Sequence, residues 1–233
     1  MKIELREARK RFGETEVLRG LTLQIEAGQR VGLVGPNGSG KSTLVRLLLG
    51  LLSAEGSVRV DGLDPFCGHA QLLPKMGYVP QNPPQWSAPV SEVVATVCGL
   101  RGIGEAEVKK LCLRLSLEWD SIQDRPLRNL SGGMKQKLLI ALALSSSASL
   151  FILDEPTASL DARSRELFFQ LYAERARGAT LVLCSHRLEE VQKLVDYVLF
   201  LCEGRVSFFG EVAAFLSQRS TNIVELISPE VQT

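Results

Sequence analysis

A glycine-rich segment near the start of the chain, Gly35–Thr43, restricts the possible folds more than any other feature of the sequence. It reads Gly-Pro-Asn-Gly-Ser-Gly-Lys-Ser-Thr and matches the pattern G-x-x-x-x-G-K-[ST] in full. The compact apolar run Arg30–Val34 precedes it, and the apolar stretch Ser42–Leu49 follows it and stops at Gly50. The sequence therefore predicts a buried strand, a glycine turn and a helix in succession.

The residue types of this segment suit a loop that binds a polyphosphate, a P-loop. Glycines let backbone N–H groups point inward around the anion, and the helix that follows directs its positive dipole end at the same place. Lys41 would supply a mobile charge to the β- and γ-phosphates, and the Ser42 hydroxyl would ligate Mg²⁺. A chance glycine turn would lack the flanking strand and helix. The predicted nucleotide-binding residues are Gly35, Pro36, Asn37, Gly38, Ser39, Gly40, Lys41, Ser42 and Thr43.

A second motif places two carboxylates at the end of an apolar run. Leu150–Leu153 is followed directly by Asp154 and Glu155. Acidic residues often end a strand at the surface, so the pair alone is weak evidence, but a P-loop in the same chain changes its meaning. Asp154 could hold Mg²⁺ through water, and Glu155 could polarise a water in line with the γ-phosphate. Together the two motifs predict a P-loop NTPase.

The remaining pattern predicts an α/β fold with a mostly parallel central sheet. Leu150–Leu153 and Thr180–Cys184 are too short for helices and too apolar for half-exposed strands. Helical patterns at Ala162–Arg175 and Leu188–Val195 alternate with them, as α/β proteins require. Tyr197–Leu201 and Arg205–Phe209, separated by Glu203-Gly204, predict a hairpin.

The first sixty residues read as short β segments, among them Val17–Leu23 and Ser57–Val60, and predict an N-terminal antiparallel β subdomain. A further strand is expected at Gly77–Pro80. Three prolines follow in Asn82–Pro89, and Val90 to Leu117 then reads as helix with loops at Gly99, Gly102 and Gly104. We therefore predict a single domain over residues 1–233, with a small helical subdomain inserted at about 83–127.

Composition and charge exclude several classes of protein. The 233 residues carry a net charge of +1, so no bulk attraction to nucleic acid is expected. The five cysteines show no C-x-x-C spacing, which favours a reducing compartment. The N-terminus is charged and has no apolar core of a signal peptide. The most apolar stretch, Leu138–Leu153, falls short of the roughly 20 apolar residues that span a bilayer. A cytosolic chain is expected.

The segment Leu130–Gln136, Leu-Ser-Gly-Gly-Met-Lys-Gln, resembles the signature motif of ATP-binding cassette (ABC) proteins, with Met134 where the usual form has Gln. Ser131 is a good N-cap, and Gly132 and Gly133 would let a ligand approach the first turn of the helix. An ordinary capped helix is the alternative reading. Paired glycines destabilise a helix, which favours an anion-binding purpose.

Other motifs of the same family are present in the expected order, so the resemblance covers nearly the whole chain. Gln81 resembles the glutamine of the Q-loop, which touches Mg²⁺ and senses the transmembrane partner. Ser159-Leu160-Asp161 resembles the D-loop, and His186 resembles the switch histidine that contacts the γ-phosphate. Phe12 resembles the aromatic residue that stacks on adenine, a position more often Tyr. Taken singly, Gln81 and His186 could be structural and Phe12 could be core.

The resemblance implies ATP and Mg²⁺ as cofactors and assigns roles to particular residues. The implied catalytic residues are Glu155, His186 and Gln81; the implied metal ligands are Ser42, Gln81 and Asp154; nucleotide contacts are implied for Phe12, the P-loop, Ser131, Gly132, Gly133 and Asp161. In this family two cassettes pair head to tail, with each ATP between one P-loop and the other subunit's signature motif. One motif of each kind in the chain predicts a homodimer with two equivalent sites, although a heterodimer is possible.

These observations predict the ATPase subunit of an ABC transporter, peripheral on the cytoplasmic face of a membrane and bound to transmembrane permease subunits on separate chains. The form of the signature motif and the short helical insert resemble ATPases of the ABC-2 export type. A non-transport ABC ATPase acting in translation or DNA maintenance is the alternative. The first would normally carry two cassettes and the second a long coiled coil between the P-loop and Asp154, and neither is seen.

The proline-rich stretch after Gln81 leaves one question open. Trp86 lies where the inserted helical segment begins, and tryptophan is enriched at interface hot spots. Trp86 could therefore contact the membrane partner, with Gln81 relaying the contact to the γ-phosphate. The alternative is that Trp86 belongs to the core of the insert, as large aromatic residues usually do.

Overall fold

A computed structural model describes residues 1–218. The described chain forms nine β-strands and eight α-helices, with short 3₁₀ turns at Leu73–Lys75, Trp119–Ser121 and Leu127–Asn129. The strands are β1 (Ile3–Phe12), β2 (Thr15–Ile25), β3 (Arg30–Val34), β4 (Glu55–Val60), β5 (Met76–Val79), β6 (Leu150–Asp154), β7 (Thr180–Cys184), β8 (Tyr197–Cys202) and β9 (Arg205–Glu211). The helices are α1 (Lys41–Leu48), α2 (His69–Leu72), α3 (Val90–Arg101), α4 (Glu105–Arg114), α5 (Gly132–Leu144), α6 (Ala162–Arg175), α7 (Leu188–Leu194) and α8 (Val212–Gln218).

The chain divides into two compact units. The first consists of Met1–Leu72 together with the described residues from Gly178 to 218, and the second consists of Leu73–Arg177. The predicted insert at about 83–127 falls within the second unit. That unit also contains β5, β6, α5 and α6, so the insert is one part of it. The division into a body and a small helical subdomain stays a prediction, and residues 219–233 of the predicted domain lie outside the described residues.

An antiparallel sheet in the order β2-β1-β4 forms the N-terminal part of the first unit. Its core side carries Ile3, Leu5 and Ile25, each at most 2% exposed. The register between β1 and β2 shifts after Leu5, where Glu7 adopts a left-handed φ of 48°. Such a bulge breaks the two-residue alternation that identifies a strand in a sequence. This explains why β1 was not predicted as a separate element.

The first unit also contains parallel strands in the order β7-β3-β8, with β9 added antiparallel to β8. Every residue of β7 is buried, as a strand covered on both faces must be. The hairpin from β8 to β9 turns at Glu203 and Gly204, which both have positive φ angles of 46° and 74°. Two such residues form the turn that suits the twist of a two-residue hairpin. The predicted hairpin is therefore confirmed.

The second unit is built on the parallel pair β5 and β6, with Val79 opposite Leu153. All residues of β6 are buried. The ring of Phe151 packs edge-on against Tyr172 of α6 at a centroid distance of 5.8 Å, and Phe168 is 0% exposed beside it. A glycine is needed at position 77 because a Cβ there would lie 2.5 Å from the Phe151 ring. This aromatic contact fixes α6 on β6.

Residues 83–127 contain the helices α3 and α4 and no strand. The expected break at Gly99 is wrong, because α3 continues to Arg101 and ends at Gly102 in a left-handed cap with φ 64°. A single interior glycine weakens a helix by about 1 kcal/mol, which Val90, Val93, Val94 and Cys98 on the buried face outweigh. Gly102 and Gly104 do lie in the loop between the two helices.

The predicted fold class is confirmed: the protein is α/β, with mostly parallel central strands and an antiparallel N-terminal sheet. None of the five cysteines is paired in a disulfide. Burial raises the pKa of the Cys112 thiol to about 12, which makes it unreactive. Within residues 1–218, no helix combines the length and apolar character needed to cross a bilayer.

Candidate nucleotide-binding site

The P-loop occupies the turn between the carboxyl end of β3 and the first residue of α1. Two of its glycines are required by the fold. A Cβ at Gly35, where φ is 153°, would overlap the carbonyl oxygen of Leu201, and a Cβ at Gly40, where φ is 102°, would lie 2.6 Å from a methyl of Leu18. Asn37 and Gly38 are exposed at the tip of the loop. The loop is therefore held closely from behind while its outer side stays open.

The polar groups of the loop suit a bound polyphosphate. Ser39 is 2% exposed, and its hydroxyl oxygen has no hydrogen-bond partner among the described residues. A buried hydroxyl without a partner is costly unless a ligand satisfies it. The Lys41 ammonium donates to the carbonyl oxygens of Gly35 and Pro36 at 2.7 and 2.9 Å, which holds its charge over the loop. Ser42 is exposed in the first turn of α1.

His186 lies at the same sheet edge as the P-loop. β3 and β7 are parallel neighbours with Leu33 opposite Cys184, so the segments that follow these two strands leave the sheet at the same edge. His186 follows two residues after β7 and is exposed. The backbone N–H of Arg187 donates to the Ser185 hydroxyl at 3.0 Å, which shapes the turn that carries the imidazole. Ligands of parallel sheets bind at the carboxyl ends of the strands, where these residues are found.

Phe12 is 45% exposed at the end of β1, so the core interpretation of this residue is wrong. The Lys10 ammonium lies 5.6 Å from the centroid of its ring. The hairpin of β1 and β2 that carries Phe12 also supplies Val17 and Leu18, which surround Gly40 of the P-loop. An aromatic face is thus presented to solvent on an element that packs against the loop. Its contact with adenine stays a prediction.

In the second unit, Gln81 and the two carboxylates follow neighbouring parallel strands at one edge. Val79 of β5 pairs with Leu153 of β6, so Gln81 and Asp154 both lie just beyond that pair. Asp154 is 8% exposed, and Gln81 is exposed. Glu155 adopts a left-handed φ of 49°, which is uncommon for a residue other than glycine. Strained backbone of this kind is concentrated at functional sites.

The predicted cap at Ser131 is confirmed, because its hydroxyl accepts a hydrogen bond from the Met134 N–H at 3.2 Å. The glycines that follow have a reason that the sequence did not show. A Cβ at Gly133 would lie 2.9 Å from the carbonyl oxygen of Ser159, and one at Gly132 would lie 3.4 Å from the Ser159 hydroxyl. The need for glycine at position 133 is therefore explained by the Ser159 carbonyl oxygen of the same chain. The outer side of the first turn of α5 carries the exposed Ser131 and Gly132.

Gln136 was missed by the sequence reasoning. It is 1% exposed on α5, and its side-chain amide donates to the carbonyl oxygen of Pro156 at 2.9 Å. This bond joins α5, the helix that begins in the signature motif and is called the signature helix below, to Pro156, the residue after Glu155. The sequence did contain a signal for its burial. Gln136 lies on the same helical face as the apolar Ile140 and Ala143, which are both buried.

Asp161 forms the N-cap of α6. Its carboxylate accepts a hydrogen bond from the backbone N–H of Ser164 at 2.7 Å. This bond holds the pKa of the Asp161 carboxyl below its ordinary value, and the positive charges of Lys137 and Arg165 act in the same direction. Asp161 is therefore ionised at neutral pH. A contact of Asp161 with nucleotide stays a prediction.

Trp86 is 51% exposed, so the alternative that it belongs to the core of the insert is wrong. Its backbone is nevertheless fixed, because its carbonyl oxygen accepts a hydrogen bond from the Arg128 N–H at 2.9 Å. A large indole ring is thereby held at the surface by an ordered segment of chain.

Comparison with known proteins agrees with this arrangement. The sequence pattern of the ABC transporter family matches residues 18–158. A Nod factor export ATP-binding protein I from Cupriavidus pinatubonensis is 36% identical over 241 residues, covering 99% of this chain and 73% of that protein. An energy-coupling factor transporter ATP-binding protein from Thermotoga maritima is 36% identical over 232 residues, covering 96% and 87%. A solved structure of the ATP binding subunit of an ABC transporter gives a TM-score of 0.84 at 26% identity and covers 94% of each chain.

The chain therefore belongs to the ABC transporter family. Its place in that family is the subunit that binds and hydrolyses ATP, since the relatives that align over nearly its whole length are ATP-binding subunits.

Proposed function

We propose that two copies of this chain bind two ATP molecules head to tail and drive export of a substrate through separate transmembrane subunits. The observation that carries the proposal is the pair of complementary features in one chain. The P-loop in the first unit has a buried serine hydroxyl without a hydrogen-bond partner among the described residues, and the second unit has an exposed, capped N-terminus on α5. A single P-loop leaves one side of the γ-phosphate to water. The N-terminus of α5 from a second copy would close that side.

In this proposal each site residue takes the role that the resemblance assigns to it. Backbone N–H groups of the P-loop bind the phosphates, the Ser39 hydroxyl donates a hydrogen bond, and Lys41 supplies charge to the β- and γ-phosphates. Phe12 offers a stacking face for adenine. Glu155 accepts a proton from the attacking water, which Gln81 and His186 help to orient. Ser131, Gly132, Gly133 and Asp161 act on the nucleotide held by the partner copy.

The residues present also fit Mg²⁺. This ion prefers oxygen ligands and is usually bound by one or two carboxylates together with phosphates, while keeping several waters. Asp154, Ser42 and Gln81 provide a carboxylate, a hydroxyl and an amide oxygen, which are the right kinds of donor. The bound ion would neutralise negative charge on the β- and γ-phosphates during transfer.

Export and membrane association rest on the relatives. The Cupriavidus relative is named for export of Nod factor, and both relatives reported above are named as ATP-binding proteins of transport systems. We infer that this chain lies at the cytoplasmic face of a membrane, bound to permease subunits. The exposed Trp86, in the proline-rich segment that follows Gln81, supports a contact with those permease subunits. A near-neutral net charge of +1 gives no support to a role on nucleic acid.

The proposal is tested with Glu155→Gln. This variant should bind Mg·ATP with the affinity of the wild type, because the P-loop is unchanged, and should hydrolyse it at least about 100-fold more slowly, since a general base contributes 10²–10⁴-fold. ATP should then be retained and the variant should elute as a dimer in size-exclusion chromatography.

The matched control is Glu118→Gln, which removes the charge of an exposed carboxylate in the same unit. It should turn over ATP at the wild-type rate. If Glu155→Gln hydrolyses ATP normally, the assignment of the base is wrong. If it retains ATP but stays monomeric, the head-to-tail site is wrong.

A further inference from the structure

Two stretches of the second unit, residues 85–91 and 123–128, run antiparallel and are joined by backbone hydrogen bonds. We call these two arms the neck. The four bonds of the neck run from the N–H of Arg128 to Trp86, from Leu127 to Ala88, from Val90 to Arg125 and from Ser91 to Gln123, at 2.9, 3.0, 3.0 and 2.9 Å.

The neck lies in the chain between Gln81 and the signature motif, two segments to which the proposed function assigns contacts with nucleotide. Its first arm begins four residues after Gln81, and the chain passes through it into α3 and α4. Its second arm brings the chain back and ends three residues before Ser131, the cap of α5. The neck therefore connects the segment after Gln81 with the start of the signature helix.

One side chain joins both arms to α5. Lys135 lies in the first turns of α5 and is 7% exposed. Its ammonium donates to the side-chain oxygen of Gln85 at 3.0 Å, in the first arm, and to the carbonyl oxygen of Arg128 at 2.8 Å, in the second arm. Its own backbone N–H donates to the carbonyl oxygen of Ser131 at 2.9 Å. Gln85 is itself held, because its amide donates to the carbonyl oxygen of Pro83 at 3.2 Å.

The burial of this ammonium indicates a specific purpose. Among residues 1–218, no carboxylate forms an ion pair with Lys135, so the oxygens of Gln85 and Arg128 are its acceptors. A buried charge without an ion partner depends strongly on its hydrogen bonds. Lys137, two residues later on the same helix, is half-buried and donates only a long bond of 3.4 Å to Ser116, outside the neck. Of these two lysines, Lys135 is therefore the one that connects α5 to the neck.

We propose that Lys135 is a positioning residue that fastens the neck to the first turn of α5, so that the segment after Gln81 and the N-terminus of the signature helix are held in one arrangement. A displacement of either arm would then be transmitted to Ser131. The functional readout of this inference rests on the proposed head-to-tail dimer, whereas its structural readout does not.

The functional test uses Lys135→Met in the Glu155→Gln background. Methionine fills the same space without the donors. Losing a charge-assisted bond to each arm should weaken ATP-dependent dimerisation about tenfold. The affinity of the monomer for ADP, measured by calorimetry, should stay within twofold, because the P-loop is untouched. Lys135→Arg keeps both donors and should restore most of the dimerisation, and Lys137→Met should resemble the parent.

The structural test is amide hydrogen exchange without nucleotide. In Lys135→Met, exchange should accelerate about tenfold at the N–H groups of Leu127 and Arg128 in the neck and of Met134 in α5, and not within α4. Lys137→Met should leave these amides unchanged. If Lys135→Met does not fold, Gln85→Ala removes the acceptor of the first arm from an exposed position and should give the same pattern at lower amplitude.

The outcomes separate the two proposals. If Glu155→Gln alone stays monomeric with ATP, the head-to-tail dimer is wrong, and the exchange pattern still decides the role of Lys135. If Lys135→Met forms the dimer as well as the parent, or if its neck and Met134 amides exchange at parent rates, the positioning role is overturned. A parallel loss of ADP affinity and dimerisation, without rescue by Arg, would show a general loss of folding and would also overturn it.

Discussion

Glu155 is the one candidate site residue other than glycine that has a positive φ. A φ of 49° places a residue with a Cβ in the left-handed region directly after a fully buried strand. The conformation costs about 1–3 kcal/mol and must be enforced by surrounding structure. Gln136 provides part of that enforcement, because its buried amide holds the carbonyl oxygen of Pro156. The backbone that carries the carboxylate is thus held from α5 as well as from β6.

Lys41→Ala tests the phosphate cradle at the scale of one residue. The ammonium lies within 2.9 Å of two carbonyl oxygens of the P-loop and would face the β- and γ-phosphates. A hydrogen bond to a charged group contributes about 1.5–3 kcal/mol, so losing two should lower ATP affinity about 100-fold or more. Calorimetric titration with ATP measures the loss. Lys2→Ala, at a surface ion pair with Glu4, should bind normally; affinity of Lys41→Ala within twofold of the parent would contradict the assignment.

At the scale of the element, the two site helices of the second unit begin with capping side chains that also belong to motifs. Ser131 caps α5 and Asp161 caps α6. A cap satisfies backbone N–H groups that the helix leaves open, so these residues define where each helix starts. The same residues were singled out in the sequence as nucleotide contacts. A substitution at either position will therefore affect helix stability, which must be measured separately from activity.

Asp161 makes the stability of α6 depend on pH. Its pKa is held below the ordinary value, chiefly by the hydrogen bond from Ser164, so its stabilising effect is present above the unfolded-state pKa and is lost as pH falls. Asp161→Ala should melt at a lower temperature than the wild type at pH 7, and the difference should shrink below about pH 4. Asp161→Asn keeps a good cap and should stay close to the wild type. Thermal melting between pH 3 and 7 tests this; a difference that does not change with pH would contradict it.

Phe168→Ala tests the packing of α6 on β6. The ring is 0% exposed and lies 5.6 Å from Phe169 and 6.2 Å from Tyr172 between centroids. Truncating a buried phenylalanine costs about 3–5 kcal/mol, which should lower the melting temperature by about 10 °C in a chain of this size. The control Leu100→Ala removes a side chain that is 79% exposed and should change little. Equal melting temperatures for the two variants would show that α6 is not anchored by this cluster.

At the scale of the whole molecule, the chain presents two exposed features for which the proposed function expects partners. Trp86 is half exposed on an ordered backbone, and the first turn of α5 is open at Ser131 and Gly132. The first suits contact with a membrane partner, and the second suits the nucleotide of another copy. The complete machine is therefore expected to be an assembly, as the transport systems named for its relatives imply.

Trp86→Ala tests the contact with the membrane partner. Because the indole is 51% exposed, its loss should leave the melting temperature within a few degrees and the basal ATPase rate unchanged, while co-purification with the transmembrane subunit should fall. Leu113→Ala, which removes a side chain 61% exposed on α4, is the control for surface apolar area. Normal co-purification of Trp86→Ala, or its early unfolding, would contradict an interface role.

The sequence by itself determined the class of the protein and its short motifs. Gly35–Thr43 indicated a strand, a loop and a helix because that unit presents backbone N–H groups to phosphate, and the apolar runs at Leu150–Leu153 and Thr180–Cys184 indicated buried strands. These features are local, so they can be recognised from residue type and spacing alone. The family and its ATPase activity were implied by a resemblance, that of Leu130–Gln136 and the accompanying motifs to ABC proteins.

The tertiary structure decided what depends on residues distant in the chain. Gly133 is explained only by the carbonyl oxygen of Ser159, and β1 was obscured by its bulge at Glu7. Burial of Lys135 follows from two acceptors 50 and 7 residues away in sequence. No local pattern reports such contacts, because the partners meet only when separate elements pack together. The sequence left the exposure of Phe12 and Trp86 undecided for the same reason, since the residue type of an aromatic side chain does not show whether other elements pack over it.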